Sequence, residues 1–198
     1  GGHAERLRTD AFTDALTGVQ NRRGFERALQ REWKLSRRGT VESYLVLVDL
    51  VDFKAVNDRF GHAAGDRVLQ LCAQALQEAA RGTDVVGRIG GDQFAAVLVG
   101  CESADDAVGY RERAHLTLER YLKGEEARVN FSSGHQELAE APSALRAMEL
   151  ADQAMYWQKR QRAGRLPRGA DLASKMGAAK RQRAPIADAG SKPPVKPS

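Results

Sequence analysis

At 198 residues, 42% hydrophobic and 29% charged, the chain is long enough to bury one sizeable core, since domains run about 100 to 200 residues. No apolar run approaches the roughly 18 residues that would span a bilayer, and no signal-peptide core is present, so a cytoplasmic protein is expected. The formal charge of +5 arises between Leu166 and Ser198, where seven basic residues face two acidic ones; the remaining body is neutral, which speaks against a nucleic-acid surface on it.

Five of the six prolines fall between Pro167 and Pro197, among Ala, Gly, Lys and Arg. That composition cannot bury enough surface to offset ordering entropy, so 166–198 is expected to be a disordered basic tail. Cys72 and Cys101 are too few for a disulfide framework and not spaced for a metal; both read as buried thiols in a reducing compartment.

The opening "GGHAERLRTDAFTD" reads as a short polar helical piece, the end of an N-terminal linker over 1–13. From Asn21 to Arg38, Phe25, Leu29 and Trp33 recur at helical spacing, with Gly39 as C-cap. "YLVLVDLVDF" from Tyr44 is β-branched and apolar and predicts a buried strand. A helix is expected from near Asp66 to Gly82, followed by a hairpin of "DVVGRI" and "QFAAVLV" around Gly90 and Gly91. Ser103 and Asp106 suggest a capping box for a helix that turns Tyr110, Ala114, Leu118 and Tyr121 inward and ends at Gly124. "ARVNFSSG" predicts the next strand. Pro142 and Ser143 open a last helix with Leu145, Met148, Ala151 and Met155 inward. A hairpin inside an otherwise alternating pattern predicts an α+β sheet with helices packed on it, not a doubly wound parallel fold.

The chemistry concentrates where strands end. Asp49 closes an apolar strand, and a carboxylate there is costly to bury unless a cation or donors meet it. Asp92 occupies the equivalent place in the hairpin, after two glycines that allow close backbone approach. Two acids on neighbouring strand ends suit magnesium, which takes hard oxygen ligands and leaves coordination for water and phosphate. Between them, Lys54 could meet a phosphate, and Asn57 with Asp66 could read the donors of a guanine. The plain alternatives are an Asp49 N-cap for "FKAVNDRF", an ordinary Gly-Asp turn, and capping by Asn57 and Asp66 around Gly61 and Gly65.

Together, "DALTGVQNRRGF" (14–25), "DLVDFKAVNDRFGHAAGD" (49–66), "RIGGDQF" (88–94), "VNFSSG" (129–134) and "ADQAMYWQK" (151–159) resemble, in order and spacing, the motifs of the GGDEF family over residues 14–165. The resemblance implies a nucleotide-cyclase-like palm with a mostly antiparallel central sheet flanked by helices. It also implies diguanylate cyclase chemistry: two GTP condense to cyclic di-GMP and pyrophosphate across a homodimer, with Mg²⁺ or Mn²⁺, downstream of a sensory or receiver domain. By the same resemblance, Asp49, the Leu50 carbonyl and Asp92 are the metal ligands. Phe53, Lys54, Gly90, Gly91 and Lys159 hold phosphates, and Asn57 and Asp66 read guanine. Arg165 matches the arginine of the family's last motif, with two extra residues intervening. "RGTD" stands five residues before Gly90 and matches an inhibitory site in which Arg81 and Asp84 bind cyclic di-GMP.

Two positions depart from the family. Val51 replaces the second acid of a D-x-D pattern, and Gln93 replaces the glutamate of the signature, placing an uncharged amide in the catalytic pair with Asp92. Three functions follow: a cyclase slowed by Gln93, a degenerate receptor for cyclic di-GMP or GTP, and a structural dimerisation module.

Overall fold

In the computed structural model, which describes residues 11–162, the elements in chain order are α1 (Arg22–Arg37), β1 (Ser43–Val51), α2 (Phe53–Phe60), α3 (His62–Ala79), β2 (Val85–Arg88), β3 (Gln93–Val99), α4 (Ala104–Leu122), β4 (Asn130–Glu137) and α5 (Ala144–Arg162). The strands form one sheet in the order β2-β3-β1-β4, every neighbouring pair antiparallel. This is the expected α+β architecture. The linker through residue 10, Arg165 and the basic tail lie outside the described residues.

Alternation along β1 divides the interior in two. Val46, Val48 and Leu50 join Leu76, Cys72, Tyr110 and Leu118 on the face covered by α3 and α4. Leu45 and Leu47 join Phe25, Leu29, Ala147 and Ala151 on the face covered by α1 and α5. Buried on both faces, β1 reads as a continuous apolar run, and Asp49 is the only acid within it. Asn21 caps α1 by accepting the Gly24 N–H at 2.9 Å, and Gly39 follows it with φ +68°. Both cysteines are free and buried; burial pushes the Cys72 thiol up, and burial with nearby Asp106 and Asp84 takes Cys101 to about 11. No helix among the described residues is long and apolar enough to cross a membrane.

Several element expectations are corrected. The helix expected from Asp66 begins at His62, so Asp66 lies inside α3; a separate helix, α2, precedes it, and Gly61 at φ +86° makes the break. The fourth strand starts at Asn130 and continues past Gly134 to Glu137. The cap of α4 is shifted by one: Ser103 Oγ accepts from the Asp105 N–H, while the Asp106 carboxylate accepts from the Glu102 N–H at 2.7 Å. Tyr110, Ala114 and Leu118 are buried as expected, whereas Tyr121 is only partly so.

Leu145, expected inward, is 71% exposed. The buried face of α5 carries Ala144, Ala147, Ala151 and Met155 instead, and it sits tightly on β4. A Cβ on Gly134 would meet the Ala151 carbonyl oxygen at 2.2 Å and the Met155 nitrogen at 2.3 Å. The α5 backbone therefore rests directly on the strand at Ala151 and Met155, the two residues of this face that were expected inward. Gly134→Ala is expected to cost about 3 kcal/mol, the upper range for overpacking against backbone that cannot yield. Urea unfolding would show this as a lowered midpoint at unchanged slope.

Candidate functional site

Asp49 pairs across the sheet with Gln93 of β3. The Leu50 N–H donates to the Asp92 carbonyl at 3.2 Å, which makes Leu50 and Asp92 the hydrogen-bonded neighbours and leaves Asp49 and Gln93 a non-hydrogen-bonded pair. Side chains in such pairs lie closest, with Cβ atoms about 4.5–5.5 Å apart. By strand alternation the two point to the face covered by α5. From α5, the Lys159 Nζ donates to Asp49 Oδ2. The sequence motifs thus converge: Asp49, Gln93 and Lys159 meet at one end of the sheet, with Asp92 adjoining.

The hairpin is held by its own backbone and by one arginine. The Gln93 carbonyl accepts from the Ile89 and Gly90 N–H groups at 2.9 and 3.3 Å. Arg88 donates to the Gly91 carbonyl from Nε at 3.1 Å and Nη2 at 2.7 Å, and its Nη1 reaches Asp14 Oδ2 at 3.3 Å. Burial alone would raise the Asp14 carboxyl, but the Thr17 hydroxyl, the Arg88 guanidinium and the Thr17 N–H outweigh it and hold the group below its ordinary value. Neither Gly90 nor Gly91 takes a positive φ among the described residues, and a Cβ on Gly91 would meet nothing within 4 Å. Backbone strain does not require these glycines; their missing side chains leave the turn's backbone open to approach.

The N-cap of α2 is Asp52, at φ +60° and without a side-chain cap bond, so the alternative role for Asp49 as that cap does not hold. Asp49 lies within β1, two residues before its end. Phe53 is partly buried and Lys54 exposed in the first turn of α2. Asn57 and Asp66 belong to α2 and α3, which meet at Gly65: a Cβ there would meet Asn57 Oδ1 at 1.9 Å and Phe53 Cζ at 3.2 Å. Gly65 therefore permits the contact that brings the two helices together beside these polar side chains. Gly61 ends α2 and starts α3 with no side-chain cap bond, which removes capping of α3 as the role of Asp66.

Arg81 and Asp84 are not part of this convergence. Asp84 Oδ1 accepts from the Val99 N–H at 3.0 Å, at the opposite end of β3 from Gln93, about 20 Å away at strand rise. The pair is internally engaged: Asp84 Oδ2 accepts from the Arg81 N–H at 2.7 Å, and the Arg81 guanidinium binds Asp106 at 3.1 Å. The adjoining cavity holds about 10 Å³, too little for a nucleotide unless Arg81 swings out. A larger groove of about 970 Å³ lies between the segment 16–20, α3 and β2; of the candidate residues it includes Asp84 alone.

The donor types are those of a hard divalent cation, which is ordinarily held by one or two carboxylates with water and substrate phosphates in its other positions: Asp49 is a carboxylate on β1, and Asp92 directly precedes Gln93, the cross-strand partner of Asp49. Among the described residues no three of His, Cys, Asp and Glu converge, so a closed cage does not fit. The Lys159 ammonium on Asp49 is a stand-in showing that this carboxylate is met by positive charge.

Sequence reading missed the Arg88–Asp14 clamp and the Lys159–Asp49 contact, whose partners are 74 and 110 residues apart. The only signal was that both arginine and aspartate fell inside quoted motifs without an assigned task.

The sequence profile described as "Diguanylate cyclase, GGDEF domain" matches residues 11–165. The chain is 35% identical over 166 residues to the probable diguanylate cyclase DgcC of Escherichia coli K12, covering 82% of this chain and 44% of that protein. To the diguanylate cyclase DgcP of Pseudomonas aeruginosa it is 34% identical over 161 residues, covering 80% of this chain and 24% of that protein. The chain thus spans less than half the length of these relatives. Among solved structures, the coiled coil and GGDEF domain of DgcB from Caulobacter crescentus in complex with c-di-GMP superposes with a TM-score of 0.72 at 30% identity, covering 83% of this chain and 87% of that one.

Proposed function

The chain belongs to the GGDEF family, and from that membership we propose that it is a diguanylate cyclase, condensing two GTP to one cyclic di-GMP and two pyrophosphates. The observation that carries the reading is the convergence of Asp49, Gln93 and Lys159 beside the Gly91–Asp92 turn. In each half-reaction the 3′-hydroxyl of one GTP attacks the α-phosphorus of the other, losing its proton as the bond to pyrophosphate breaks. Each domain holds one GTP, so two copies face each other. Asp49, Asp92 and the Leu50 carbonyl would hold Mg²⁺ or Mn²⁺, which would supply charge stabilisation for the entering and leaving oxygens.

The chain's own groups bind and orient. Lys54 and Lys159 meet phosphate oxygens as point charges. The backbone of the Gly90–Gly91 turn, held by Arg88, lets phosphate approach without a side chain intervening. Asn57 and Asp66 accept hydrogen bonds from the guanine edge, an amide oxygen and a carboxylate being suited to its N–H donors. Gln93 keeps the reach of glutamate and lacks its charge. Loss of one preorganised electrostatic contact costs on the order of 10²- to 10³-fold in kcat, so a slow enzyme results.

A second reading, a receptor for cyclic di-GMP, is favoured by one observation: Gln93 lacks the signature charge while Arg81 and Asp84 keep the spacing of the inhibitory site. Calorimetry separates the readings. Guanine recognition by Asn57 and Asp66 predicts that GTP binds in preference to ATP, and that Asn57→Ala or Asp66→Ala weakens GTP about 10-fold or more with ATP little changed. Equal affinity for GTP and ATP, with cyclic di-GMP bound more tightly than either, favours the receptor.

A further inference from the structure

We propose that Lys159 is the resident cation of the Asp49 carboxylate in the ligand-free protein, exchanged for a divalent ion chiefly when a triphosphate arrives to receive its ammonium. The inference rests on the reading of Asp49 as a metal ligand. It gives one side chain two partners, and makes it the coupler between metal and nucleotide.

The geometry decides which partner moves. Asp49 is paired on both sides, to Gln93 of β3 and to Ser132 of β4, and its side chain is 15% exposed. Its position is fixed by the middle of the sheet. Lys159 sits in the last turn of α5 on a flexible four-carbon stem, 37% exposed. A divalent ion approaching Asp49 must displace the ammonium, and the stem lets it swing without disturbing the helix.

Gln93 sharpens the exchange. Opposite Asp49, a glutamate would add a second negative charge to draw a divalent ion in; the amide adds none. A metal ion alone therefore competes against Lys159 for one carboxylate of this cross-strand pair. With a triphosphate present the balance changes twice over: phosphate oxygens complete the ion's coordination, and they accept charge-assisted bonds from the freed ammonium. Metal and nucleotide then bind with positive coupling, and linkage requires that each raise the other's affinity by the same factor.

The test measures Mn²⁺ binding to the full chain by loss of the free-ion electron paramagnetic resonance signal. Wild type, Lys159→Met and Lys159→Arg are compared, with and without a GTP analogue carrying a methylene bridge between its α and β phosphates. Circular dichroism verifies folding. Without nucleotide, Lys159→Met is expected to bind Mn²⁺ about tenfold more tightly than wild type, since an unopposed carboxylate gains by regaining a cation, while Lys159→Arg stays near wild type. On adding the analogue, the affinity of wild type rises by a larger factor than that of Lys159→Met. Equal Mn²⁺ affinity in wild type and Lys159→Met, or no Mn²⁺ bound by either, overturns the proposal. If Lys159→Met binds Mn²⁺ more tightly but the analogue binds to none of the proteins, the exchange holds and the GTP reading of the site fails.

Discussion

Replacing Asp49 by Asn is expected to lower cyclic di-GMP formation by about 10³-fold or more, with the fold intact. The substitution keeps shape and removes the charge that Lys159 meets and that a divalent ion would need, and electrostatic contributions of this kind are the largest single terms in catalysis. Because Asp49 lies in β1 with partners on both sides, an isosteric amide leaves the ladder unchanged. Single-turnover assays at saturating GTP and Mn²⁺ check the loss, and the thermal midpoint checks the fold. A variant within tenfold of wild type would remove Asp49 from the catalytic set.

Gln93→Glu is expected to act in the other direction, raising the rate about 10²- to 10³-fold by restoring the charge opposite Asp49. It has a second signature that a rate alone does not carry. Like charges directly across an antiparallel pair repel, so in the absence of divalent ions the variant unfolds at a lower temperature than wild type. Added Mn²⁺ reverses that deficit, because an ion that binds only the folded state stabilises it. Thermal unfolding with and without Mn²⁺ reads both effects. A faster enzyme without the metal-dependent stability change would mean that Gln93 acts away from the ion.

The strands were legible in the sequence because β1 and β3 are short apolar runs bounded by glycine and polar residues. Two errors came from packing that periodicity does not encode. The stretch 52–66 is dense in polar residues, so a helix is expected only from Asp66; two helices run through it, separated at Gly61, φ +86°. Leu145 was placed inward because it is large and apolar. The face of α5 that enters the core carries Ala144, Ala147, Ala151 and Met155, and Leu145 lies off it.

The candidate site divides the same way. Asp49, Asp92, Asn57 and Asp66 were legible because each stands out chemically against its neighbours and the motifs are long. That Gln93 faces Asp49 follows from register, which depends on pairing between strands more than forty positions apart in the chain. The Lys159 contact and the Arg88 clamp, which ties the Gly91 carbonyl to Asp14, are tertiary facts. Each joins a motif read alone to another motif read alone, and only the fold says which.

The most direct measurement is chromatography of the concentrated chain incubated with GTP and Mg²⁺ or Mn²⁺. Cyclic di-GMP with two pyrophosphates per product, abolished in Asp92→Ala, is the expected result for a cyclase that tolerates Gln93. No product from wild type at any concentration, with product from Gln93→Glu, would contradict it and show that the missing charge at Gln93 switches catalysis off.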